Sequence, residues 1–187
     1  GRPVTIHREQ HFFARNTAMS CMDAPIHDHE GRLAAVLDVS SCRADDTAVF
    51  LQLIQSSVID TARRIESDNF RAAFAGSRII MGDDHGRKGA VLLAVDRDDL
   101  VVGATRAARQ IFGLSDEALK TPRPAQDVLS GQAYVADGTG AVDLESAERG
   151  AIARALARTD GNVAAAARQL KLGRATLYRR MQRLGLR

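Results

Sequence analysis

From residue 144 onward the apolar positions recur at three- and four-residue steps, in three short runs: Leu144–Arg158, Asn162–Leu170 and Arg174–Leu184. That spacing predicts three helices. Val163, Ala166, Ala167 and Leu170 form the inward stripe of the second, Ile152, Ala155 and Leu156 the matching face of the first, and Leu177, Met181 and Leu184 that of the third. Only Lys171-Leu172-Gly173 separates the last two runs, and two helices joined by so short a turn make a helix-turn-helix. Upstream the period changes. Ala18–Ser40 reads as a hairpin turning at His27–Gly31, after a strand-like run at Val4–His7. Asp45 to about Ala75 reads as one long helix, with a stripe through Phe50, Leu53, Ile54, Val58, Ala62, Ile65, Phe70 and Phe74. Ala90–Val95 and Leu100–Val102 read as strands around an Asp96–Asp99 turn, followed by a helix over Ala104–Phe112 that ends near Gly113.

Charge sharpens this picture at one end. The whole chain carries +3, yet Leu144–Arg187 holds ten Lys and Arg against three acidic residues, a local +7 that leaves −4 for the remainder. Basic charge concentrated on a helix-turn-helix is the footprint of a phosphate-facing module. The candidate DNA-contacting residues are Asn162, Gly173, Arg174, Thr176, Tyr178, Arg179, Arg180 and Arg183. Arg174 and Thr176 fall in the first turn of the third helix, where a recognition helix touches base edges. Arg174 can give a bidentate contact to guanine. Thr176, Arg179, Arg180 and Arg183 suit phosphates, which fix register without reading sequence. Tyr178 suits either a phosphate or packing against the first helix. Asn162 suits a helix start and Gly185 a helix end.

Asp160-Gly161-Asn162-Val163-Ala164-Ala165-Ala166-Ala167-Arg168-Gln169-Leu170, then Arg174-Ala175-Thr176-Leu177-Tyr178-Arg179-Arg180 and Leu184-Gly185-Leu186, resembles the Fis-type helix-turn-helix that closes many bacterial enhancer-binding activators. Two positions depart from that pattern. Lys171 stands where the family has a turn glycine, and Gly173 where it has serine or asparagine at the recognition-helix start. Cys21–Asp28, Gly31-Arg32-Leu33 and Val36–Ser40, with His11-Phe12, resemble the final strands of the GAF sensor domain of acetoin-catabolism-type activators. Residues from Gly89 to about Leu114 are similar to the start of a PAS domain. These resemblances imply an α+β chain in four parts: a partial GAF-like sheet with its long helix (1–75), a short PAS-like segment (76–130), a linker (131–143) and a Fis-type helix-turn-helix (144–187). The opening at Gly1 inside a strand-like run is expected of a piece lacking the first half of that GAF-like domain.

Activators of this type carry an ATPase module, which needs a G-x-x-x-x-G-K-[ST] phosphate loop. Gly82, Gly86 and Gly89 lie in no such sequence, so ATP-driven remodelling is not expected of these residues. His7, His11, His27 and His29 with Cys21 and Cys42 lack the spacing of a tetrahedral metal site, and the two cysteines lack that of a redox pair. Asp96, Asp98 and Asp99 lack the later glutamate of a calcium loop. No catalytic arrangement, cofactor or metal is expected, and no run of about 20 apolar residues suggests a membrane span. The function expected is that of a cytoplasmic, bacterial transcription regulator, homodimeric on double-stranded DNA and able to contact RNA polymerase. A helix of about 30 residues would run roughly 45 Å, too far for so small a sheet to cover, so residues 45–75 are the expected dimer element. The competing expectation is a small-molecule or redox-responsive sensor in which the helix-turn-helix is secondary.

Overall fold

A computed structural model describes residues 1–43, 47–83, 89–129 and 143–186. The expected linker, apart from Asp143, and most of the Gly82–Arg87 stretch lie outside the described residues. The chain divides into two units, Gly1–Ala73 and Phe74–Arg187.

In the first unit β1 (Val4–His7), β2 (Ser20–His27) and β3 (Leu33–Ser41) form an antiparallel sheet in that order. Asp28 closes the hairpin: its Oδ1 accepts the backbone N–H groups of Glu30 and Arg32, both at 2.9 Å. Helix α1 (Ala48–Ala73) covers one face of the sheet, where Met22 and Ala24 are buried against Leu51, Val58 and Ala62. This buried stripe differs from the one read in the sequence. Leu51 joins it, whereas Phe50 and Leu53 fall on the exposed side, because the 3.6-residue period carries the contact line from Leu51 through Ile54 and Val58 to Ala62. Glu66 Oε1 accepts both the backbone N–H and Nδ1–H of His27, each at 2.7 Å, and ties the end of β2 to α1. His27 is thereby committed to a carboxylate.

Side chains alternate across a strand, so the face opposite α1 carries Cys21 and Asp23, paired in register with Ser40 and Asp38. Burial, reinforced by the charge and hydrogen bond of Asp38, holds the Asp23 carboxyl above the usual carboxylate range. A raised folded-state value means the contribution of this group is fully present below the ordinary carboxylate pKa and is lost as pH rises through the raised one. Asp23→Asn is therefore expected to stabilise the chain by a few tenths of a kcal/mol near pH 7 and by nothing near pH 3. Urea melts of both proteins at the two pH values check this, and an equal gain at both would refute the carboxylate repulsion.

The second unit opens with β4 (Arg78–Met81), β5 (Leu92–Val95) and β6 (Val101–Ala104), again antiparallel in sequence order. Asp96 Oδ1 builds the β5–β6 turn by accepting from Asp98 N at 2.9 Å and Leu100 N at 3.0 Å. Helix α2 (Arg106–Phe112) is capped by Thr105 and stops at Gly113, whose φ of 63° is the left-handed conformation of a helix end. Helices α3 (Asp116–Lys120) and α4 (Ala125–Val128) follow, and the core gathers Val91, Leu93, Val95, Val101, Ala104, Ala108, Leu114, Ala125 and Leu129. Gly103 is required here, since a Cβ would collide with the Phe74 ring. The last three helices are α5 (Leu144–Arg158), α6 (Val163–Gln169) and α7 (Arg174–Arg183). No helix among the described residues is long and apolar enough to cross a membrane.

Candidate nucleic-acid interface

The three C-terminal helices share one small core. Ile152 and Ala155 from α5, Ala166 and Ala167 from α6, and Leu177, Met181 and Leu184 at the end of the chain are all buried together. Alanine at 166 and 167 lets α6 and α7 approach closely. Asp143 caps α5 through Ser146 N at 2.6 Å, a bond that holds the Asp143 carboxyl below its usual range. Asn162 Oδ1 caps α6 through Ala165 N at 3.1 Å.

The turn between α6 and α7 is a Schellman motif: Leu172 N donates to Ala167 O at 2.9 Å and Lys171 N to Arg168 O at 3.1 Å. Its geometry places Lys171 at φ 55°, in the left-handed region that favours glycine. The strain implied by the departure at Lys171 is therefore located. Lys171→Gly is expected to raise stability by about 0.5–1 kcal/mol, measured by urea unfolding. Unchanged or lower stability would show that lysine sits there without strain. Gly173, at φ −68°, starts α7 without a side-chain cap, and a Cβ there would meet only Thr176 Oγ1 at 3.7 Å. Glycine is not sterically required at this position. Gly185, at φ 67°, ends the helix.

The candidate residues separate into groups. Asn162 is occupied as a cap, and Thr176 is half-buried in the first turn of α7. Arg174 is exposed, its guanidinium 5.7 Å from the centre of the Tyr178 ring, and Tyr178 is itself 44% exposed rather than packed away. Arg179 is exposed with no ion pair among the described residues. Arg180 and Arg183 both pair with Glu148 of α5, Arg180 at 2.6 Å. Sequence reading did not find that pairing, because Glu148 lies 32 and 35 residues away.

Three more arginines face the αβ half of the same unit. Arg149 reaches Asp98 Oδ2 at 3.1 Å and also donates to Leu184 O, while Arg154 donates to Asp98 O at 3.2 Å. Arg158 makes a bidentate pair with Asp127, both bonds 2.7 Å, which holds the Asp127 carboxyl below its usual range. Of the basic side chains described from α5 onward, Arg168, Lys171, Arg174 and Arg179 are left exposed and outside any ion pair. They run from the end of α6, across the turn, onto α7. Arg168 and Lys171 are not among the candidates named from the sequence, although Lys171 lies in the turn and Arg168 three residues before it.

A three-helix unit with a Schellman turn and an exposed cationic strip is a helix-turn-helix, and residues 143–184 match the family model described as bacterial regulatory protein, Fis family. The chain carries a Fis-type DNA-binding domain at its C-terminus. It is also similar to the acetoin catabolism regulatory protein of Cupriavidus necator, 29% identical over 117 residues that cover 58% of this chain and 17% of that protein. The chain thus spans about a sixth of the length of this curated relative. No solved structure matches it.

Proposed function

We propose that this chain is a sequence-specific transcriptional regulator that binds DNA as a homodimer through α6 and α7. The observation that carries the reading is the strip of cations without an ion pair among the described residues, Arg168, Lys171, Arg174 and Arg179, on the exposed side of the turn and recognition helix. Arg174 reads a base edge, steadied by Tyr178, while Arg168, Lys171 and Arg179 hold phosphates. One helix-turn-helix offers few base contacts, so tight binding takes two, with half-sites about 34 Å apart. Helix α1 supports the dimer: Val49 and Leu53, one turn apart, are 76% and 65% exposed, and Phe50 is exposed beside them. Residues 1–75 are read as the later part of a GAF-like sensor domain, 76–130 as a PAS-like segment, and 131–143 as the linker. The chain acts in the cytoplasm without ATPase activity of its own, regulating by occupying DNA and by contacting RNA polymerase.

Anisotropy binding to a random duplex pool at two salt concentrations, followed by sequencing of the retained DNA, tests this. An enriched inverted repeat with steeply salt-dependent affinity supports the reading, and no binding at low salt would end it. Among variants, Arg174→Ala is expected to relax sequence preference. Arg179→Ala is expected to weaken all sequences alike and lower the salt slope by about 1. Arg180→Ala is expected to change the slope by less, because Glu148 already neutralises that side chain, and Glu148→Gln to raise affinity for every sequence. Equal losses of slope at Arg179 and Arg180 would refute the role given to Glu148.

A further inference from the structure

The strongest unexplained cluster lies in the first unit, on the sheet face opposite α1. Cys21 Sγ is 3.4 Å from His11 Nε2 and 3.3 Å from Ser40 Oγ. His11 Nδ1 is 2.9 Å from the Arg8 carbonyl oxygen. A carbonyl only accepts, so Nδ1 carries the hydrogen and the neutral imidazole turns the lone pair of Nε2 toward the sulfur. The Cys21 S–H therefore donates to Nε2. The Arg8 carbonyl also accepts His11 N at 2.9 Å, and Arg8 N donates to Met19 O at 2.8 Å, so the backbone that orients the imidazole is anchored to the loop leading into β2. Ser40 Oγ donates to Asp38 Oδ2 at 3.0 Å and can turn its hydrogen to sulfur once sulfur has lost its own. A nucleophile, a base in contact with it and a third group orienting the base make up the arrangement of an activated thiol.

We propose that Cys21 is a thiol reactive toward small hydroperoxides, with His11 as its base. The sulfur is half-buried under His11 and Ser40, which favours a small polar reagent over a bulky one. Sγ attacks one oxygen of the peroxide, an S–O bond forms and the O–O bond breaks. Two electrons pass from sulfur to the peroxide. The thiol proton moves to His11 Nε2 and on to the departing hydroxide or alkoxide, which leaves as water or an alcohol, and Cys21 becomes a sulfenic acid. Cys42 supplies an internal reference: it is exposed, with no imidazole contact among the described residues. On accessibility alone it would react first. The inference stands independently of the DNA-binding reading.

Thiol loss on addition of hydrogen peroxide to the full chain is followed in Cys42→Ser, which keeps Cys21, and in Cys21→Ser, which keeps Cys42. Cys21 is expected to be consumed at least about tenfold faster. His11→Gln in the Cys42→Ser background is expected to bring the rate down to that of Cys42. In concentrated urea the two single-cysteine proteins are expected to react at equal rates, a measurement that needs no histidine variant to fold. Cys42 reacting as fast as Cys21 in the folded protein would overturn the proposal. So would a His11→Gln rate equal to that of the Cys42→Ser parent, or a difference that persists in urea.

Discussion

Replacing Leu177 with alanine is expected to cost about 3 kcal/mol and to abolish specific DNA binding. Leu177 is wholly buried where α5, α6 and α7 meet. Three of its cluster neighbours are Ala155, Ala166 and Ala167, too short to reach into the space that truncation would leave. The cavity therefore persists rather than collapsing, so the cost includes a cavity contribution on top of the lost transfer free energy. A core this small has little else to hold the recognition helix against α6, so the turn geometry is lost with it. Urea melts followed by circular dichroism, alongside anisotropy binding, check the expectation. A loss below about 1 kcal/mol with unchanged affinity would show that the packing around Leu177 is not what holds α7.

Asp98→Ala is expected to have an effect of similar size, about 3 kcal/mol, for an electrostatic reason. Asp98 is only 6% exposed and faces the half-buried guanidinium of Arg149. Arg149 Nε is buried with no hydrogen-bond partner, so the guanidinium already carries an unmet donor. Removing the carboxylate leaves a desolvated cation held, among the described residues, by the Leu184 carbonyl alone. Breaking one side of such a pair costs more than replacing both, so Arg149→Met in the Asp98→Ala background is expected to recover most of the loss. A double-mutant cycle by urea unfolding measures this, and additive losses would refute the coupling.

The contrast between those two sites explains what could be read in advance. The buried stripe at Val163, Ala166, Ala167 and Leu170 and the caps at Asn162 and Gly185 follow from local periodicity and backbone preference, which a short window of residues contains, while the strained position at Lys171 was visible through the resemblance to the Fis-type pattern. The same holds for the hairpin of β2 and β3, for the length of α1, and for the β5–β6 turn with α2 behind it. Helix α1 went wrong only in rotation, since its apolar residues spread over more than one face and the sheet alone selects Leu51 over Leu53. Strand β4 has four residues, too few for a period to declare itself, and α3 and α4, at five and four residues, are little more than one turn each. The ion pairs were out of reach for another reason. Asp127 and Arg158 lie 31 residues apart, and any of ten basic side chains could have served a given carboxylate. His11 and Cys21, ten residues apart, meet only because the loop between them folds back onto β2.

Arg149 touches both the β5–β6 turn and the carbonyl that ends α7, so one side chain belongs to two stretches that a comparison of sequences would cut apart. The family model begins at residue 143, yet the energetic border of the DNA-reading unit runs back to Asp98 and Asp127. A fragment excised at the recognisable boundary would carry Arg149 and Arg158 stripped of their carboxylates, with that much extra positive charge free to grip any duplex. The shortest piece that keeps the native balance between selectivity and indiscriminate adhesion is the whole second unit.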